Sequence, residues 1–338
     1  MKVVIAERNL LPHRQMLSGL LEPTGATQSW HDRFDEDRLV ADLADADVYV
    51  GGRLTPAMAR AGRHLRLVHP VGAGFDKVSC PDLPAQTQVA NTFHHENSIA
   101  EYVVAAAVTL RRGLLPQDAA LRAGRWATPV YRDGLPQPRS LRGAMIGYVG
   151  FGHIGRRTAD VLAALGARGC AVTGSGRIAN PDGLDWYSDP SDLGRLMHDA
   201  DVVVVSAPLN EHTAGMIGAA ELAGLGPDAV LINVGRGPLV VAEDLYEALR
   251  DNVIGAAAID VWYHYPIGDD VASPSELPFA ELPNILMTPH ISGVTAETFE
   301  GRVRDVADNI VRLAEGRPIQ RVVWPRAECN TPTTVDSK

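Results

Sequence analysis

The stretch "AMIGYVGFGHIGRR", beginning at Ala144, narrows most sharply what this chain can fold into. An apolar run ends in Gly150-Phe151-Gly152-His153-Ile154-Gly155, and an Ala/Leu-rich helical pattern follows at once. A strand handed to a helix through three glycines at this spacing is the turn that cradles a dinucleotide. Gly150 permits the tight turn, Gly152 lets backbone approach a pyrophosphate, and Gly155 lets helix pack on strand. His153 and Ile154 fill the turn, and the N–H groups at the helix start hold phosphates.

The rest of the chain agrees with that turn. The runs "KVVIA", "ADVYVG", "LRLVHPV", "ADVVVVSA", "AVLINVG" and "GAAAIDV" are apolar throughout, as strands covered on both faces of a parallel sheet are. Helical patterns such as "AEDLYEALRD" lie between them, so the fold class is α/β with right-handed crossovers. A length of 338 residues suits two domains, and 46% hydrophobic residues supply their cores. Residues 99–126 read as two helices interrupted at Pro116, followed by the Pro-rich loop "ATPVYRDGLPQPRS". Residues 295–316 read as one amphipathic helix stopped by Gly316 and Pro318, with a polar, mobile tail after Trp324.

A net charge of −10 without a basic run argues against nucleic acid as a partner. The longest apolar stretch, "YVVAAAVTL", is too short to span a bilayer, and the start reads as a first strand and not a signal peptide. Cys80, Cys170 and Cys329 are odd in number and far apart, which points to a reducing compartment without a disulfide framework. The expectation is a cytoplasmic protein.

For NAD, the strand after the glycine turn should end in an acid about 20 residues on. Here "GARGCAVTGSGR" has Thr173, Ser175 and Arg177 instead. Hydroxyls and a guanidinium suit a 2′-phosphate, so NADP is favoured over NAD, the alternative being that Arg177 merely faces water.

Four blocks then follow in order: "LRLVHPVGAGFDKV", "SIAEYVV", "LINVGRGPLVV" and "MTPHISG". Together they resemble the D-isomer-specific 2-hydroxyacid dehydrogenase family, which also contains formate dehydrogenase. The resemblance implies two Rossmann/flavodoxin-like domains with parallel sheets and an active site in the interdomain cleft. Residues 1–103 plus 295–338 would form the substrate domain and 104–294 the dinucleotide domain, in a homodimer. It implies that backbone amides of Gly72, Ala73 and Gly74 hold the substrate's acid group. Arg236 would bind carboxylate and carbonyl together with its planar fork, and His290 would move the proton. Asp260 would meet the nicotinamide carboxamide, unless it serves as a cap. Pro208 and Val234, at ends of apolar strands, would complete the cofactor contacts.

The chain departs from the family at two positions. Where most relatives have a Glu beside the catalytic His, this sequence has Tyr265, within "DVWYHYP", and where many have Asn it has His95. A carboxylate favours the imidazolium, whereas a phenol offers a hydrogen bond and stays neutral. Tyr265 could equally be aromatic packing. Losing that negative charge would suit a more highly charged substrate, with Arg53 and Lys77 as further cations, and suggests a phosphonate-bearing acid. Phosphite dehydrogenases carry Lys where this chain has Ala73. No metal is expected, since "HHE" lacks a convergent third ligand.

The leading expectation is therefore an NAD(P)-dependent oxidoreductase of a small 2-hydroxy/2-keto acid. One alternative is formate-dehydrogenase-like oxidation, favoured by "MTPHISG" but normally accompanied by Gln and Asn at positions 265 and 95. The other is a dinucleotide-sensing binding protein, like the corepressors that the family includes.

Overall fold

The computed structural model describes residues 1–266 and 271–325. Cys329, the polar tail and the last four residues of "DVWYHYPIGDD" lie outside them. The chain forms two compact units, Met1–His94 with the segment from Thr295 onward, and His95–Val294. The sequence placed the first boundary between residues 103 and 104. Helix Glu96–Arg111 is instead continuous, and its Ile99 and Val103 share a core with Ile146 and Leu162. The whole helix therefore belongs to the second unit.

In the first unit, β1 (Lys2–Ile5), β2 (Thr27–Trp30), β3 (Val48–Val50), β4 (Leu67–His69) and β5 (Gln88–Ala90) pair in parallel, in the order 5-4-3-1-2. This is the flavodoxin-like order. Strand Val322–Trp324 closes the β5 edge in antiparallel fashion. Helix Ala296–Ala314 starts where the Thr295 hydroxyl accepts the Thr298 N–H, and it ends before Gly316, which takes φ +68°. Its Phe299, Val303, Val306 and Ile310 pack on Val3, Ile5, Val48 and Leu67.

One polar seam crosses that apolar contact. His69 is fully buried, with Nδ1 2.9 Å from the Pro70 carbonyl and Nε2 3.0 Å from Asn309 Nδ2. The carbonyl only accepts and the amide nitrogen only donates, so the imidazole is neutral with its proton on Nδ1. Asn309 Oδ1 in turn accepts the Gln320 N–H at 2.8 Å.

The second unit carries β6 (Met145–Val149), β7 (Arg168–Val172), β8 (Trp186–Ser188), β9 (Val202–Val205), β10 (Val230–Asn233), β11 (Ala256–Ile259) and β12 (Ile285–Met287). All seven are parallel, in the order 8-7-6-9-10-11-12. The strand order reverses between β6 and β9, the place where ligands bind in such sheets. Separate apolar clusters cover the two faces of the sheet, as the unalternating strands required. The α/β class with two mostly parallel sheets is as the sequence indicated.

The helix break expected at Pro116 falls at Gly113 instead, whose φ is +59°. A new helix, Leu114–Arg122, then begins, and Pro116 sits in its first turn, where a missing N–H costs nothing. Among the described residues no helix is long and apolar enough to cross a membrane.

Burial pushes the His69 pKa down to about 4, below the ordinary 6.5 of an unfolded chain. The folded state thus binds fewer protons than the unfolded state between these values, and stability present above pH 6.5 is lost as pH falls toward 4. By linkage the loss from pH 7 to pH 5 is about 2 kcal/mol. Urea midpoints at the two pH values should show it in wild type and much less of it in His69→Gln; equal losses would contradict a neutral buried His69.

Candidate active site

Backbone geometry explains the glycine turn. Gly150 leaves β6 with φ +93°, and a Cβ there would stand 2.7 Å from the Ala207 nitrogen. A Cβ on Gly155 would stand 2.6 Å from the Gly150 carbonyl oxygen. Gly152 instead faces open space at the start of helix His153–Ala164, with His153 exposed and Ile154 half-buried. Close packing on two sides and room on the third suit a pyrophosphate.

Just past β7, the buried Thr173 hydroxyl has no hydrogen-bond partner. The Ser175 hydroxyl accepts the Arg177 N–H at 3.3 Å in an exposed turn. Gly176 lies against Asp189, whose carboxylate accepts from Ser191. Val234 is buried and donates its N–H to the Val205 carbonyl. Pro208 is exposed beyond β9, its carbonyl accepting the Thr213 hydroxyl at 2.7 Å. The orphaned Thr173 hydroxyl and the cradle at Gly152 fit a dinucleotide.

The loops after β10, β11 and β12 bring together the remaining candidates of this unit. Asn233 brackets Arg236, accepting the Gly235 N–H at 3.1 Å and donating to the Arg236 carbonyl at 3.0 Å. A Cβ on Gly237 would lie 2.4 Å from the Trp262 carbonyl oxygen, so the β10 and β11 loops press directly on each other.

Asp260 is fully buried and accepts three hydrogen bonds, from the Thr288 hydroxyl (2.6 Å), the Ile291 N–H (2.8 Å) and the Ser292 N–H (3.0 Å). Its observed work is to brace the loop that carries His290. That loop needs a brace, since His290 takes φ +58°, a conformation costly for any residue but glycine. Of roughly four lone-pair positions on a carboxylate, three are occupied.

Tyr265 stands at the imidazole. Its hydroxyl lies 3.1 Å from His290 Nδ1 and accepts the Trp262 N–H at 3.2 Å. The two rings are tilted by 58° with centroids 5.7 Å apart. Burial raises the phenol pKa above its ordinary value, outweighing the opposite pull of Arg236, so Tyr265 is neutral at any working pH. When Nδ1 is bare the hydroxyl donates to it; when Nδ1 carries a proton the oxygen accepts.

His95 is buried beside the same loop, and a Cβ on Gly293 would lie 3.3 Å from its own Cβ. His94 belongs to the first unit, with Nε2 2.9 Å from Asp305. In that unit the carbonyls of Gly72 and Ala73 are pinned by Thr92 N–H and the Asn91 side chain, while Gly74 continues the loop. Arg53 is exposed and stacks 4.2 Å from the Phe34 ring centroid. A bridge between Leu54 and Val78 sets it beside Lys77 in the same unit. Trp262 and Tyr102, which carry no signal of a site role in the sequence, join this loop cluster. Trp262 donates its indole N–H to the Thr288 carbonyl at 2.9 Å, and the Tyr102 hydroxyl lies 2.8 Å from Thr288 Oγ1.

Residues 104–292 match the family described as D-isomer specific 2-hydroxyacid dehydrogenase, NAD binding domain. Glycerate dehydrogenase of Methylorubrum extorquens is 31% identical over 262 residues, 77% of this chain and 79% of that protein. A NADPH-dependent glyoxylate/hydroxypyruvate reductase from Sinorhizobium meliloti, solved with NADP and malonate, superposes with a TM-score of 0.77 at 26% identity, covering 96% of each chain. D-lactate dehydrogenase from Lactobacillus jensenii, solved with NAD+, also gives 0.77, at 25% identity over 96% of this chain and 99% of that one. A match across more than half of the chain, with the glycine turn and the His290 loop inside it, leads to one conclusion: the chain belongs to the D-isomer specific 2-hydroxyacid dehydrogenases, NAD(P)-dependent oxidoreductases of CH–OH groups.

Proposed function

We propose that this enzyme reduces a small 2-keto acid, or oxidises the corresponding 2-hydroxy acid, with NADP(H) preferred to NAD(H). The observation that carries the proposal is the Tyr265–His290 hydrogen bond, at the carboxyl ends of the strands that also bear Arg236 and the glycine turn. A bound nicotinamide would be the hydride donor in reduction and its acceptor in oxidation. Arg236 binds the substrate carboxylate bidentately, His290 gives a proton to the oxygen in reduction and takes it back in oxidation, and Tyr265 orients the imidazole. The Asp260 carboxylate keeps one position for the carboxamide. His95, buried beside the His290 loop, is a further polar group for the substrate, and the amides of the Gly72–Gly74 loop are the anion-binding candidates of the first unit. The missing acid after β7 and the Ser175–Arg177 turn support NADP; of the two solved relatives named above, one was solved with NADP and the other with NAD+.

The first test is oxidation of NADPH and NADH against glyoxylate, hydroxypyruvate, pyruvate, a branched 2-keto acid and phosphonopyruvate. NADPH should be the better donor, and Arg177→Ala should shrink its advantage by about ten-fold. Silence across the panel with cofactor bound would favour formate-like oxidation or a sensing role. The Leu54–Val78 bridge, which makes Arg53 and Lys77 backbone neighbours, supports a phosphonate- or phosphate-bearing acid as a second reading. Arg53→Ala should then lose turnover of phosphonopyruvate selectively; equal losses on pyruvate would remove this reading.

Tyr265→Glu restores a carboxylate at Nδ1 and favours the imidazolium. The pH above which reduction declines should rise by about one unit. An unmoved profile would mean that Tyr265 does not govern His290.

We also propose a homodimer. Trp126 (63% exposed), Val130 (76%) and Tyr131 (71%) follow the exposed Leu114, Leu115 and Leu121, an apolar stretch that a second copy would cover. Light scattering should give twice 36.2 kDa, and Trp126→Asp with Tyr131→Asp should give monomer; a monomeric wild type at micromolar concentration would refute the assembly.

A further inference from the structure

We infer that Tyr102 and Thr288 are positioning residues for the reaction, forming a one-way hydrogen-bond relay that sets Asp260 and, through it, the His290 loop. The inference rests on the proposed role of His290.

The direction of the relay follows from what each group can do. Both Asp260 oxygens face backbone N–H groups, at 2.8 Å from Ile291 and 3.0 Å from Ser292, and an N–H can only donate. The carboxylate is thus the acceptor, and the single Thr288 proton points at Oδ1, 2.6 Å away. With that proton committed, Thr288 Oγ1 must accept from Tyr102 across their 2.8 Å contact. Burial pushes the Tyr102 pKa up to about 12, so the donor stays protonated.

The relay ties together elements far apart in sequence. Tyr102 lies on helix Glu96–Arg111, Asp260 follows β11, and Thr288 follows β12. A buried carboxylate could turn about its side-chain torsions; a hydroxyl fixed on one oxygen leaves it one orientation, with both loop amides engaged. The same threonine is held at its backbone, since the Trp262 indole and the His290 N–H both donate to its carbonyl, at 2.9 and 3.0 Å. The left-handed backbone at His290 is therefore fixed from both sides. Proton transfer needs the imidazole held at hydrogen-bond distance from the substrate oxygen to within a few tenths of an ångström, so slack in this loop falls on the chemical step more than on cofactor binding.

The test uses full-length Tyr102→Phe, Thr288→Val and Thr288→Ser. Hydrogen exchange at the Ile291 and Ser292 amides should quicken about ten-fold in the first two and stay near wild type in Thr288→Ser, which keeps the hydroxyl. With the best keto acid of the panel, kcat should fall about ten-fold in the same two while KM for NADPH stays within about two-fold. The deuterium isotope effect from C4-labelled NADPH should rise toward its limiting value, which mere loss of folded enzyme would not cause. Because Tyr102 acts through Thr288, the double variant should match Thr288→Val. Unchanged exchange would overturn the relay, and faster exchange with unchanged kcat and isotope effect would overturn its part in catalysis. If wild type turns over no keto acid, the proposed function fails, and the exchange measurement still decides whether the relay holds the loop.

Discussion

The reversal of strand order between β6 and β9 is the constraint on which the second unit depends. Connections leaving β6 and β9 go to opposite faces of the sheet, so the loops at their carboxyl ends part there, which is where sheets of this kind open a crevice for ligands. The glycine turn lies on one side of that crevice, and Gly150 sits so close to Ala207 of the β9 loop that no side chain could be added. Parallel pairing then aligns the ends of β10, β11 and β12, and each end carries one piece of chemistry. Arg236, Asp260 and His290 are spread over more than 50 residues of chain from first to last but lie on loops of neighbouring strands. The sheet does the positioning, and the loops make short-range adjustments to it.

A phenol in place of a carboxylate beside the imidazole supplies a hydrogen-bond partner without a charge. The hydroxyl is held by a backbone N–H and reaches Nδ1 at ordinary hydrogen-bond distance. It can accompany the imidazole through either protonation state by donating or accepting. What it lacks is a fixed negative charge, the property by which a neighbouring Glu would favour the proton-loaded form. Arg236 then adds the positive potential of this loop cluster with less to offset it.

Much of this was legible from the residues. The apolar runs named the central strands because strands covered on both faces leave no room for alternation, and the glycine spacing named the turn because each glycine meets a distinct steric demand. Edge and near-edge strands were not legible: β2 ("TQSW"), β5 ("QVA") and β8 ("WYS") are short and partly polar, as strands with an uncovered side are. The break at Gly113 was assigned to Pro116, since proline's missing donor is visible in sequence while a left-handed glycine is not. Asp260 was assigned to the cofactor, and its three loop donors emerged only in three dimensions, because they come from residues about 30 positions later. Tyr102 gave no signal, as a tyrosine on an otherwise apolar helix face reads as packing.

The contact between Gly237 and the Trp262 carbonyl has a consequence for how this pocket can be reshaped. With no atom to spare between them, the loop bearing Arg236 and the loop bearing Tyr265 form one rigid part with two attachment points, not two independent walls. Insertions that would widen one wall are resisted by the other, so natural or engineered changes in this part of the site must come from side chain replacements and not from loop length. The apparent freedom of two separate loops reduces to a single piece that is kept or replaced whole.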